Sequence, residues 1–191
     1  FKCDWSSDVC SSDLKLTKDK DGDGEIDQWG CGFANAFMLY QFIWGNNASF
    51  CSDDFKTVTV TDPAFQEGLQ KFVDLTLVHK VTPTVEQDVA NGPYQRWLDG
   101  QVAFYACGTW DIAAFMDKET FKYDWDLCGY PTLASGVSQT WCGTVGYCVS
   151  ANTKNEDLAT KLAYYMSASD EAMKLLSGID GGASIQIPNL V

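Results

Sequence analysis

Positive charge is scarce in this chain and imidazole scarcer: Arg96 is the one arginine and His79 the one histidine. Thirteen lysines and arginines face 26 aspartates and glutamates, a formal net charge of −13. Phosphate binding needs clustered Lys and Arg, so the composition argues against nucleic acid as a partner. The acidity suits a soluble surface or a cation site. Long apolar runs are also missing. The most apolar one, residues 33–44, is interrupted by Asn35 and Gln41 and is too short to span a bilayer. No two cysteines are spaced Cys-x-x-Cys, which with a single histidine argues against a zinc centre. There is no Gly-x-Ser-x-Gly, no phosphate loop, no Ser/His/Asp pattern and no internal repeat. The acids lie mostly in helix first turns and in one Asp-Gly loop, so the facing carboxylates of a glycoside hydrolase have no evident place. The expectation is a protein that is not an enzyme.

The first fourteen residues stand apart. Residues 3–14 read Cys-Asp-Trp-Ser-Ser-Asp-Val-Cys-Ser-Ser-Asp-Leu, have no hydrophobic periodicity, and resemble a sequencing adapter translated by accident. They are set aside as a non-native tail, as a fusion scar would be. The native sequence is then expected to start in mid-protein near Lys15, and an apolar end without a cap at 185–191 suggests a cut there too. Six cysteines remain: Cys31, Cys51, Cys107, Cys128, Cys142 and Cys148. Cys107, Cys128 and Cys148 sit in apolar, strand-like runs and are expected to be mostly free, buried thiols.

Aromatic residues are plentiful, at 14% of the chain. The most informative stretch is 100–115. Gly100 ends a short helix (93–99); then Val102, Phe104 and Ala106 alternate with Ala103, Tyr105 and Cys107, both sets largely apolar, as a buried parallel strand requires. The strand breaks at Gly108, Thr109 can cap a new helix, and Trp110 opens it. Such a strand-to-helix turn lies at the carboxyl end of a parallel strand, where open α/β sheets place ligands. Trp110 either caps the core or offers an aromatic face to a ligand.

Residues 19–27, Asp-Lys-Asp-Gly-Asp-Gly-Glu-Ile-Asp, form a calcium-type loop. Aspartates fall at positions one, three, five and nine, Gly24 falls at the sharp turn at six, and Ile26 at eight can anchor the loop. Position twelve is Gly30 where a bidentate Glu belongs, so the choice is between a degenerate structural calcium site and a plain Asp-Gly turn. Further along, the pattern predicts helices over 33–44, 62–76, 156–166 and 169–176, and strands over 57–61, 123–130 and 144–150. Asp62 caps and Pro63 opens the second helix. Residues 133–143 form a Gly/Ser/Thr-rich crossover carrying Trp141. Helices alternating with short apolar strands indicate an α/β protein.

The order and spacing of several pieces resemble the sugar-type extracellular solute-binding proteins of ABC importers, the group that contains maltose-binding protein. These are Leu16-Thr17 with the Asp-Gly-Asp-Gly loop and Gln28-Trp29-Gly30; Asp62-Pro63 and its helix; Trp97-Leu98-Asp99-Gly100-Gln101-Val102-Ala103-Phe104 through Gly108-Thr109-Trp110-Asp111; 123–131; 143–155; and Ile187-Pro188. The resemblance implies a type II periplasmic-binding-protein-like α/β fold. Residues 15–132 would form the second lobe, and 133–191 would cross back into part of the first.

By the same resemblance the parent protein would bind a sugar between two lobes and deliver it to a membrane permease. It would work as a monomer outside the cytoplasmic membrane, held there through a lipid anchor at an amino terminus not in this sequence. Trp110 would stack on sugar, as the tryptophan at that place does in the maltose-binding branch. Trp44 and Trp141 would lie on cleft-facing segments or in the core, and Asp111 could accept sugar hydroxyls or serve as a first-turn acid. The loop resembles one seen in some members, where side chains like Asp19, Asp21, Asp23 and Asp27 and the Glu25 carbonyl would hold Ca2+. Two rival readings are a carbohydrate-active enzyme fragment and a calcium-dependent interaction module. The second would need another copy of the Asp-rich loop, and the chain has one.

Overall fold

A computed structural model describes residues 15–33, 36–130, 132–143 and 146–177. The tail at 1–14, the helix stop at Gly178 and the extended segment at 185–191 lie outside the described residues. The elements, in order, are β1 (Trp29–Phe33), α1 (Ala36–Gly45), α2 (Pro63–Leu77), α3 (Val85–Ala90), α4 (Pro93–Leu98), β2 (Val102–Ala106), a 3-10 turn (Thr109–Asp111), α5 (Ile112–Met116), α6 (Glu156–Ala168) and α7 (Asp170–Ser177). The chain forms two compact units: one holds residues up to Ala106 plus Lys122–Trp141, the other Cys107–Phe121 plus the chain from Cys142 onward.

In the first unit β1 and β2 pair in parallel, Trp29 opposite Val102 and Cys31 opposite Phe104. The alternation read in β2 is thus a parallel strand, with Val102 buried and the rest half-buried. β1 falls partly where a helix was expected from residue 33. Its buried Trp29 and Cys31 alternate with glycines, which hide the period-two signal. Gly32 also lets the strands close up: a Cβ there would lie 3.1 Å from Val102 Cγ1.

α1 and α2 pack into the main core. Met38, Phe42, Leu75 and Val81 form its centre, with Phe72, Ala106, Tyr130 and Leu133 against them. α2 comes close to α1 at Gly68, where a Cβ would be 2.8 Å from the Phe42 carbonyl oxygen. Asn46, at the end of α1, is buried but satisfied: its Nδ2 donates to the Ala64 carbonyl at 2.8 Å, and Lys71 Nζ donates to its Oδ1 at 2.9 Å. Pro63 opens α2 as expected, although the Asp62 side chain makes no cap hydrogen bond. α3 starts with a capping box between Thr84 and Gln87.

The lone arginine is structural. Arg96, on α4, is 6% exposed. Its guanidinium lies 4.5 Å from the centre of the Trp29 ring, Nη1 donates to Gln101 Oε1 at 3.1 Å, and Nη2 donates to the Gln87 carbonyl at 2.8 Å. Nε sits 3.4 Å from Asp88 Oδ1, an ion pair outside hydrogen-bond geometry. One side chain therefore ties α3, α4, β1 and the entry to β2. Burial raises the Asp88 carboxyl above the usual carboxylate range, and Arg96 offsets part of that.

Among the described residues three expected strands do not form. Residues 123–130 have no regular structure; Asp124 and Asp126 alternate along them, and only Trp125 and Tyr130 are half-buried. Residues 57–61 contribute a single bridge, Cys51 to Val58. Residues 146–150 are irregular, and 144–145 lie outside the described residues. Without strands to cover them, Cys128 and Cys148 are exposed, as is Cys142, rather than buried as expected. Cys107 is half-buried, and desolvation, helped by the nearby Asp111 charge, pushes its thiol up to about 11.

Candidate functional site

β2 ends at Ala106, and the chain turns at Gly108 into the 3-10 turn and then α5. The residue preceding the turn is Gly108 rather than Thr109, and no side chain caps it. The expected helix from Trp110 is one 3-10 turn followed by five α-helical residues. α5 is anchored by Phe115, which packs on Phe121 with ring centroids 5.6 Å apart, both buried. Trp110 lies on this turn, four residues after the end of β2, and is 49% exposed. Asp111 follows it, half-buried, its N–H donating to the Gly108 carbonyl at 3.2 Å.

The other two tryptophans belong to the first unit. Trp44 is half-buried and stacked on Tyr40 at 5.2 Å, in a run of rings continuing through Phe50 to Phe65. Trp141 is half-buried at the end of the segment whose Leu133 packs on Gly45.

The Asp-rich loop is a closed turn. Lys18 and Gln28 form an antiparallel bridge at its base, and the Gly30 N–H donates to Thr17 Oγ1 at 3.0 Å. Gly22 and Gly24 take positive φ, +80° and +95°, so the glycine expected at the sharp turn is required there. Asp19 accepts from the Gly22 and Gly24 N–H groups, Asp23 from the Glu25 N–H, and Asp27 from the Lys20 N–H. The Gly24 and Gly22 hydrogen bonds hold the Asp19 carboxyl below the usual range. One oxygen each from Asp19, Asp21 and Asp27 comes within 4.8 Å of the others. Oxygens on opposite sides of a Ca2+ ion are about 5 Å apart, so this trio has a suitable spacing. Asp23 and Glu25 are not in the trio, and position twelve, Gly30, is buried in β1 without a side chain to offer.

A family model described as bacterial extracellular solute-binding protein matches residues 23–187. The chain belongs to that family. Among solved structures, this solute-binding chain is similar to the maltose/maltodextrin-binding domain MalE from Bdellovibrio bacteriovorus bound to maltotriose, with TM-score 0.73 and 24% identity over 91% of this chain and 45% of that one. It is similar to the ABC substrate-binding protein Lmo0181 from Listeria monocytogenes in complex with cycloalternan, with TM-score 0.71 and 23% identity over 93% of this chain and 42% of that one. A maltose-bound MalE3 from T. maritima matches at TM-score 0.61 and 19% identity, over 84% and 42%. No curated protein matches in sequence. The fold is therefore that of the MalE-like periplasmic-binding proteins, and this chain spans less than half the length of those it resembles. Family membership puts the protein outside the cytoplasmic membrane, in the periplasm or at the cell surface. Among the described residues no helix is long and apolar enough to cross a membrane.

Sequence reasoning picked out Trp110 and the loop but missed what sits beneath Trp110. No sequence signal reveals it, because the approach of the ring to Gly108 depends on side-chain torsions.

Proposed function

We propose that this solute-binding chain is part of the substrate-binding component of an ABC transporter, which takes a mono- or oligosaccharide in an inter-lobe cleft and passes it to the permease. The observation that carries the reading is Trp110, half-exposed on the turn after β2. An indole has a broad apolar face that complements the C–H face of a sugar ring, while neighbouring polar groups address the hydroxyls. Asp111 is the nearest candidate for that second task. The structural relatives with bound maltotriose, cycloalternan and maltose support a carbohydrate as the ligand class. The ligand is bound and released unchanged.

The test is calorimetric titration with a carbohydrate panel that includes maltotriose and cycloalternan, with product analysis after long incubation. Saturable binding without turnover is expected of the full-length protein, and Trp110→Ala there should weaken it by about 1–3 kcal/mol, the scale of a buried aromatic anchor. Hydrolysis of any sugar in the panel would replace this reading with a catalytic one.

We also propose a structural calcium ion held by Asp19, Asp21 and Asp27, with Asp23 and the Glu25 carbonyl completing the shell. Calcium titration should raise the melting temperature, and Asp21→Ala should abolish the rise. An equal rise in that variant would leave the loop a plain turn.

A further inference from the structure

Gly108 has ordinary extended backbone angles, φ −105° and ψ 176°, which any residue can adopt. Conformational freedom is therefore not why a glycine stands there. What excludes a side chain is the Trp110 ring. A Cβ built on Gly108 would fall under 3.0 Å from Cε3, Cζ3 and Cη2 of that ring, closer than the corresponding approaches at Gly68 and Gly100. These are three consecutive ring atoms, all about equally close. A point in the ring plane beyond Cζ3 would be nearer that atom than its neighbours, so the missing Cβ lies over the ring's face. The indole thus rests with one face on the Gly108 backbone. Trp110 as a whole is 49% exposed.

We infer that Gly108 is a positioning residue for ligand binding: by lacking a side chain it seats one face of Trp110 on the backbone and fixes the direction in which the ring is held. The inference takes the ligand's identity from the carbohydrate reading of Trp110, but the seating of the ring stands apart from that reading. The seat matters because a tryptophan has only two side-chain torsions, and contact with the backbone narrows the rotamers a half-exposed ring visits. Seating it lowers the ordering cost of binding, which is how a pre-organised site gains affinity. A methyl group at Gly108 would take the space of the ring, and the ring can swing outward into solvent. The expected outcome of Gly108→Ala is therefore a folded protein with a misplaced indole.

The experiment compares the chain with Gly108→Ala, Trp110→Ala and the double variant. Acrylamide quenching of the Trp110 emission, obtained by subtracting the matching Trp110→Ala spectrum, should rise in Gly108→Ala as the face that rests on Gly108 becomes accessible. Maltotriose affinity should fall about tenfold in Gly108→Ala and no further in the double variant, since the methyl has nothing to displace once the ring is gone. Two results would overturn the inference: Trp110 quenching that stays constant in Gly108→Ala, or a Gly108→Ala loss that is the same size with and without Trp110. If quenching rises but Trp110→Ala leaves maltotriose and cycloalternan binding unchanged, the ring is seated as described, and both the carbohydrate reading and the ligand role of Gly108 fall. A parent chain silent to both sugars likewise overturns the ligand role, while quenching still decides the seating.

Discussion

α2 and α6 are helices of similar length with similar apolar stripes, yet they end in opposite circumstances. α2, in the first unit, buries Phe65, Gly68 and Leu75 against α1 and its surroundings. α6, in the second unit, buries no residue at all, and its stripe of Leu158 and Leu162 is 68% and 56% exposed. A 3.6-residue period records that a helix has an apolar side; it does not record what covers that side. In this chain the stripe of α2 carries stability and that of α6 carries almost none.

The largest expected effect tests that contrast directly. Leu75→Ala should cost the first unit about 2–5 kcal/mol by denaturant unfolding, because it removes buried methyl groups and leaves a cavity. Leu162→Ala on α6 should change stability by under about 0.5 kcal/mol, as exposed substitutions do. Equal losses at the two sites would break the comparison.

Arg96 sharpens it from the polar side. Arg96→Ala removes a guanidinium that serves Trp29, Gln87, Asp88 and Gln101, and leaves Asp88 partly buried beside the gap. A loss of about 3 kcal/mol is expected, near the lower end for breaking a buried pair. Recovery with Arg96→Lys should be partial, since an ammonium cannot match the planar fork and its stacking. Full recovery would mean that charge alone matters there.

The smallest effect concerns Cys107. Its thiol, pushed up to about 11 from 9.0, stays protonated in the folded state where the unfolded chain would already have ionised. The folded form then holds more protons than the unfolded one between those values. Stability from this group is thus fully present below pH 9 and falls as the pH rises toward 11. Below that window, Cys107 should alkylate on the order of 100-fold more slowly in the folded chain than in the unfolded one, from the difference in thiolate fraction. Comparable rates by mass spectrometry would contradict the burial of Cys107.

Much of the fold was legible where the signal is local. Asp62-Pro63 and the stripe behind it announced α2, the two-sided apolar alternation announced β2, and Gly24 took the positive φ its place in the loop called for. β1 was not legible, because Gly30 and Gly32 empty every second position of its pattern. Residues 123–130 misled for the opposite reason: aromatic and aliphatic residues suggested a strand, but among the described residues no strand forms a ladder with them. At the candidate site the exposure of Trp110 could be proposed from the turn that carries it. The seat at Gly108 could not, because it depends on side-chain torsions that leave no trace in composition or spacing. The burial of Arg96 was equally hidden, since an arginine counted in isolation reads as surface charge.

The central claim is that a carbohydrate rests on the Trp110 indole. The most direct measurement is a titration of the 15N-labelled chain with maltotriose, following the indole Nε1–H signal that disappears in Trp110→Phe. This signal should move saturably with added sugar, more than the indole signals of Trp29 and Trp97. Sugar binding that shifts other signals and leaves the Trp110 indole where it was would contradict it.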